Sequence, residues 1–184
     1  DMSKVSPLVD GLVEAFQCLP GVGPKSAQRM VLHLLERNKN GGLILAKTLE
    51  QALESVDKCS KCRIFTESLI CQICSNEKRN KNQICVVESV SDVFAIEQSN
   101  EYTGHYFILH GHLSPIDDIG PDELALDLLF SRARESETEE IILATNSTLE
   151  GETTSHFIFD SLKNEQHLKI TKLARGVPLG GELE

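Results

Sequence analysis

The chain has 184 residues, 40% of them apolar and 25% charged, which is an ordinary globular composition and a length for one domain or for two or three small ones. It holds no apolar run of about 18 residues, which excludes a membrane-spanning helix, and it has no Trp and only 5% aromatics, which argues against a base-stacking platform for single strands. The net charge of −10 opposes nucleic-acid binding by the chain as a whole, but it is unevenly spread: residues 1–80 carry 11 Lys/Arg against 9 Asp/Glu, residues 81–184 carry 7 against 19.

The first part can therefore house a basic site, while the second would repel DNA and attract a basic protein. Asp1 to Leu12 lack the charged-then-apolar design of a signal peptide, so a cytoplasmic protein is expected. Residues 7–56 read as helices. Leu8, Leu12, Ala15, Phe16 and Leu19 keep one helical face, Leu19 to Pro24 interrupts it, and Ala27, Met30, Val31, Leu34 and Leu35 restart the period with Pro24 in the first turn. Asn40-Gly41-Gly42 predicts a second break before a third helix, Leu43 to Val56, with Leu45, Leu49, Ala52, Leu53 and Val56 inward. Residues 57–80 show no period. From residue 81, Ile84 to Val87, Tyr106 to Leu109, Ile141 to Ala144 and Leu168 to Leu173 read as strands, with helices expected at Val90–Gln98, Pro121–Ser136 and Gly151–Leu162. Apolar strands alternating with helices predict a parallel sheet covered on both faces.

The interruption Leu19-Pro20-Gly21-Val22-Gly23-Pro24-Lys25 has the chemistry of a phosphate site. Glycines allow close backbone approach and positive φ. The unpaired N–H groups and dipole of the following helix suit an oxyanion, and Lys25 and Arg29, one turn apart and off the apolar stripe, can flank the same backbone. Such a contact reads no bases, so binding would be sequence-independent and salt-sensitive. The competing reading is a plain helical hairpin whose glycines serve geometry alone.

Cys59-x-x-Cys62 and Cys71-x-x-Cys74 form two knuckles eight residues apart, the spacing of a four-thiolate zinc site. Four thiolates leave no open coordination position, so the predicted role is structural, as a staple for a segment too short and aperiodic to fold alone. Cys18 and Cys85 fall in helix and strand patterns and are expected to be buried apolar residues. Glu88 follows the first strand of the α/β part, where open parallel sheets bind ligands. A magnesium site there would want two further carboxylates, but Asn146-Ser147-Thr148 stands at the end of the third strand and Glu150 is the only nearby acid. His110-Gly111-His112 reads as incidental, and Glu135 to Glu140 as a solvated helix end and loop.

Taken in order, LPGVGPKSAQRM, the paired knuckles, CVVESVSDVFAIE, HGHLSPIDDIGPDEL, ATNSTLEGETT and LARGVPLGGELE resemble successive signature blocks of the RecR family over nearly the whole chain. The resemblance implies a multidomain α, zinc-knuckle and α/β architecture: a helix-hairpin-helix region at 1–56, a four-cysteine zinc finger at 57–80 with one structural Zn²⁺, and a Toprim domain at 81–184 with a Rossmann-like parallel sheet. It implies a non-catalytic DNA clamp subunit in recombinational repair, a ring-like homotetramer joined through its N- and C-terminal regions, working with RecO or RecF to load RecA on gapped or single-stranded DNA. By the hairpin match Gly21, Val22, Gly23, Lys25 and Arg29 would face DNA. By the Toprim match Glu88, Asp92 and Glu150 would form an acidic surface for a partner such as RecO. The family pattern usually continues for a short segment past GGELE that helps C-terminal association; this sequence stops at Glu184. The alternatives are a magnesium-dependent Toprim nuclease or primase-like enzyme, which the missing aspartates oppose, and a purely structural adaptor using the hairpin for protein contact.

Overall fold

The computed structural model describes residues 6–173. The chain divides into two compact units, Asp1–Ser55 and Val56–Glu184.

The first unit holds α1 (Pro7–Phe16), α2 (Pro24–Arg37) and α3 (Lys39–Ser55). The first two helices open on proline, whose missing N–H would be unpaired at that position anyway. Packing runs α1 on α2 and α2 on α3. The expected break at Asn40-Gly41-Gly42 falls earlier, at Asn38. The Asn38 side-chain oxygen accepts from Gly41 N at 2.9 Å and its carbonyl from Gly42 N at 3.1 Å, so Asn38 caps α3 and the glycines form its first turn. Among the described residues of this unit only Ala27 and Val31, one turn apart on α2, are buried. The expected inward face of the third helix is not inward: Leu45, Leu49, Ala52 and Leu53 are exposed, and so is Val56 just beyond it. The apolar stripe is real, but the packing of α3 on α2 does not cover it. Cys18, past the end of α1, is also exposed, against the expectation of burial.

The second unit begins with β1 (Asp57–Lys58), paired antiparallel to β2 (Phe65–Thr66), and a single turn α4 (Gln72–Ser75). There follow β3 (Asn80–Val87), α5 (Val90–Ser99), β4 (Gly104–Ile108), α6 (Leu126–Ala133), β5 (Glu140–Ala144), α7 (Leu149–Leu162) and β6 (Lys169–Lys172). The sheet has strand order β4-β3-β5-β6, parallel throughout, as the alternating apolar runs predict. Chain direction across the sheet reverses at β3, whose neighbours are the next two strands of the sheet in sequence. Val87 pairs level with Ile108 and with Ala144, so Glu88, Leu109 and Thr145 emerge together at one edge.

The two-residue alternation of the strands builds two cores. Ile84, Val86, Phe107, Leu109, Ile141 and Leu143 pack with residues of α6 and α7. Cys85, Val87, Tyr106, Ile108 and Ala144 pack with Val93 and Ile96 of α5 and with all four knuckle cysteines. The knuckle thus takes the place of a second helix on that face. Helix α5 opens on a complete capping box, Ser89 with Asp92, and α7 on Thr148, whose hydroxyl accepts from Gly151 N at 3.1 Å.

The helix expected over Pro121–Ser136 is only Leu126–Ala133. The physical reason is the buried Arg63, whose guanidinium takes the carbonyls of Glu123 and Leu124 that a longer helix would need for its own ladder. Ala125 stands in the left-handed region at φ 51° instead. Of the acidic run expected to be solvated, Glu140 opens β5 and its carboxylate accepts from Gln83 Nε2 at 2.9 Å.

Candidate functional site

The hairpin between α1 and α2 is closed by Val22 N donating to Leu19 O at 3.2 Å. Gly21 sits at φ 77°, a conformation that L side chains resist. Gly23 is the N-cap of α2 with extended backbone, and no side chain caps it. Pro24 has no N–H, so the first helical donors open to a ligand are those of Lys25 and Ser26. No acidic residue lies in this first turn to compete for them. A Cβ at Gly21 or Gly23 would meet nothing within 4 Å, so the space over the turn is open. Lys25 and Arg29 are both exposed on α2. Open backbone donors, a helix dipole and two nearby cations are the chemistry that suits one phosphate group. Val22 is half-buried and anchors the turn.

In the second unit Cys59, Cys62, Cys71 and Cys74 are all buried, and their sulfurs lie within 4.8 Å of one another. Tetrahedral thiolates around zinc, each at about 2.3 Å, would stand roughly 3.8 Å apart, so the donor set fits a four-sulfur ion with little adjustment. The sulfurs already accept backbone N–H bonds, from Ile64 to Cys62 at 3.4 Å, from Cys71 to Cys59 at 3.3 Å and from Cys74 to Cys71 at 3.4 Å. Such bonds stabilise thiolate charge. A hydrogen bond from Cys62, 3.5 Å away, holds the Cys71 thiol well below its ordinary pKa. Cys85 is buried in the core beneath, and burial pushes its thiol up to about 12, so it behaves as an apolar residue, as expected.

At the carboxyl edge of the sheet Glu88 is buried, 4% exposed, at the point where strand order reverses. One carboxylate oxygen lies 2.9 Å from His112 Nδ1, and the other accepts from the backbone N–H of Asn146. Asp92, half-buried, accepts from Ser89 N at 2.9 Å and completes the cap of α5. Glu150 is exposed in the first turn of α7. The fold therefore brings Glu88 against the β5–α7 loop that leads to Glu150, with two of the three acids already engaged by backbone donors. Gly151 allows this close approach: a Cβ there would lie 2.0 Å from Asn146 O. Beside Glu150 runs an open groove of about 580 Å³ lined by Leu113, Pro115, Ile116, Leu149 and Phe157.

Two residues have roles that sequence reasoning missed. His112, read as incidental, is the side-chain partner of Glu88. Arg63 holds four carbonyls from a buried position. An arginine directly after the second knuckle cysteine gives no sequence signal for that.

Comparison with known proteins agrees with this geometry. The family model described as "RecR, helix-hairpin-helix" matches residues 9–53, and the one described as "Toprim domain" matches residues 82–174. The recombination protein RecR of Saccharophagus degradans is 52% identical over 179 residues, covering 97% of this chain and 90% of that protein. The helical hairpin and the parallel sheet fall on those two family matches, with the four-cysteine cluster between them, and the chain belongs to the RecR family.

Proposed function

We propose that the chain is a DNA-binding, non-catalytic subunit of recombinational repair that assembles into a ring-like homotetramer in the cytoplasm. The observation that carries this is the α1–α2 hairpin, where the Gly21-Val22-Gly23 turn leads into uncapped backbone donors at Lys25 and Ser26, beside the exposed side chains of Lys25 and Arg29. The domain division follows as hairpin region at 1–56, four-cysteine finger at 57–80 holding one Zn²⁺ on Cys59, Cys62, Cys71 and Cys74, and Toprim domain at 81–184.

The absence of catalysis rests on the Glu88 edge. A two-metal or one-metal phosphotransfer site needs several free carboxylates. Glu88 has both oxygens occupied, by His112 and by Asn146 N–H, and positions 146 and 148 offer an amide and a hydroxyl that caps α7. The exposed Glu150, together with Glu88 and Asp92, reads instead as an acidic site for a basic partner such as RecO or RecF, in the loading of RecA on gapped or single-stranded DNA. Self-association is supported by the uncovered apolar side chains of the first unit, with Leu8 84%, Leu43 72% and Leu53 76% exposed.

The test is end-labelled gapped DNA incubated with the protein and Mg²⁺, run on a denaturing gel beside a Glu88→Gln control. Intact DNA is the expected result. Cleavage that disappears in Glu88→Gln would replace the clamp with a working Toprim enzyme.

A further inference from the structure

We propose that Arg63 is a positioning residue that ties occupancy of the four-cysteine site to the conformation of the loop 110–125, and through it to the setting of Glu88 and His112. The inference deepens the proposed function and rests on its reading that the cysteines hold a divalent ion.

Arg63 directly follows Cys62 and is 8% exposed. A buried guanidinium must have its donors satisfied, and these are met by carbonyls. Nη1 donates to Ile108 O at 3.0 Å, Leu109 O at 3.1 Å and Leu124 O at 2.8 Å, and Nη2 to Glu123 O at 3.4 Å. The same side chain therefore grips the end of β4, where the loop leaves the sheet, and the residues before α6, where it returns. The backbone of the knuckle turn adds two more ties. Cys62 O accepts from Ile108 N at 2.9 Å, and Arg63 O lies 2.7 Å from His110 Nε2.

The loop needs such a grip. Among the described residues, the non-glycine positions with positive φ are Arg63 itself, Asn100, and His110, Asp118 and Ala125 of this loop. Left-handed backbone at ordinary residues persists only where the surroundings over-determine it. Beyond the gripped end, Gly111 N donates to Glu88 O at 2.9 Å, His112 reaches the Glu88 carboxylate, and Leu113 N donates to Thr154 Oγ1 at 2.9 Å. The loop is thus the mechanical link between the knuckle and the acidic strand end.

The direction of the coupling comes from the knuckle turn. Arg63 stands at φ 70°, inside a turn closed by Arg63 N to Cys59 O at 2.9 Å and Cys59 N to Ile64 O at 2.7 Å. Cys59 and Cys62 are two of the four ligands, so a bound ion cross-links this turn to Cys71 and Cys74. Without the ion the turn loses that closure, and Arg63 loses the backbone geometry that aims its fork at both ends of the loop. Linkage is reciprocal: if the ion steadies the loop, removing the ties to the loop must weaken the ion by the same factor. Lysine cannot replace the residue, because a single ammonium does not span carbonyls from two segments as a planar fork does.

The experiment is hydrogen–deuterium exchange on the full chain, zinc-loaded and chelated, for wild type, Arg63→Lys and Arg63→Gln, with metal affinity measured by competition and cluster integrity by the cobalt–thiolate absorption. Chelation of wild type should speed exchange at Gly111 and Leu113 at least tenfold while Val86 and Leu143 in the sheet stay protected. Zinc-loaded Arg63→Gln should show the fast loop with cobalt absorption retained, and its metal affinity should fall by a factor matching the loop effect. Arg63→Lys should lie near Arg63→Gln. Zinc-loaded Arg63→Gln with wild-type loop protection and wild-type metal affinity would overturn the coupling, and this comparison holds even if chelation opens the whole sheet. A wild-type chain with no cobalt–thiolate absorption would overturn the metal reading as well, and is distinguished from the first failure by that spectrum.

Discussion

The side chains at the hairpin make a prediction that separates phosphate contact from scaffold. Lys25 and Arg29 are exposed, so Lys25→Ala with Arg29→Ala should leave the circular dichroism spectrum and melting temperature unchanged. DNA affinity should fall, and its dependence on salt should flatten by about one unit of log–log slope for each phosphate that a bound chain no longer neutralises. Titrations of gapped DNA at several salt concentrations measure both, and an unchanged slope in the double variant would show that the hairpin meets protein instead. Gly151 makes the opposite kind of prediction. An added methyl would stand 2.0 Å from Asn146 O, so Gly151→Ala should cost about 2 kcal/mol or more in urea unfolding by forcing the β5–α7 loop off Glu88. At this scale the sequence was legible where chemistry repeats at fixed spacing. Cys59, Cys62, Cys71 and Cys74 are brought together as their spacing requires, and Gly21 has the positive φ that the Pro-Gly interruption suggested. Arg63 and His112 were not legible, because their partners are carbonyls and a carboxylate 24 to 61 positions away, which local pattern does not encode.

Among the elements, the knuckle carries the largest share of what the sequence could not say. Spacing predicts a closed metal site, but not that the site covers the sheet face beside α5, in one core with Cys85, Val87, Tyr106 and Ile108. Removal of the ion should therefore do more than free a surface loop. Chelation, or Cys59→Ser, should lower the melting temperature by several degrees and expose this face to a hydrophobic dye, with zinc restoring the chelated protein and not the variant. A melting temperature insensitive to chelation would mean that the thiols pack well enough alone. Strands β3 to β5 were legible because each holds a short apolar run, and the centre of a parallel sheet buries both faces. Helix ends were less so. Period alone extended α6 back to Pro121 and delayed α3 past Gly42, whereas the outcome was decided by Arg63 capturing two carbonyls and by Asn38 acting as a cap.

For the whole molecule the difficulty is charge: a chain of net −10 should be a poor ligand for DNA, and one hairpin offers only two cations and a helix end. Assembly resolves this if several hairpins engage one DNA, since each later hairpin then binds at high effective concentration. The first unit supplies a reason to assemble, because its apolar stripe is left uncovered within the unit and an exposed run such as Leu43, Ile44, Leu49 and Leu53 is costly in water. These residues are off the proposed phosphate site and outside the sheet, so Leu49→Glu with Leu53→Glu should leave both cores and the cysteine cluster intact. The variant is expected to sediment as a smaller species and to bind gapped DNA at least 100-fold more weakly, with a salt slope reduced toward that of a single hairpin. Sedimentation and salt-dependent titration on the same samples decide it. A monomeric variant that keeps full affinity would mean that one hairpin suffices and that the acidic Toprim surface does not oppose it, which would leave the proposed ring without a role in binding.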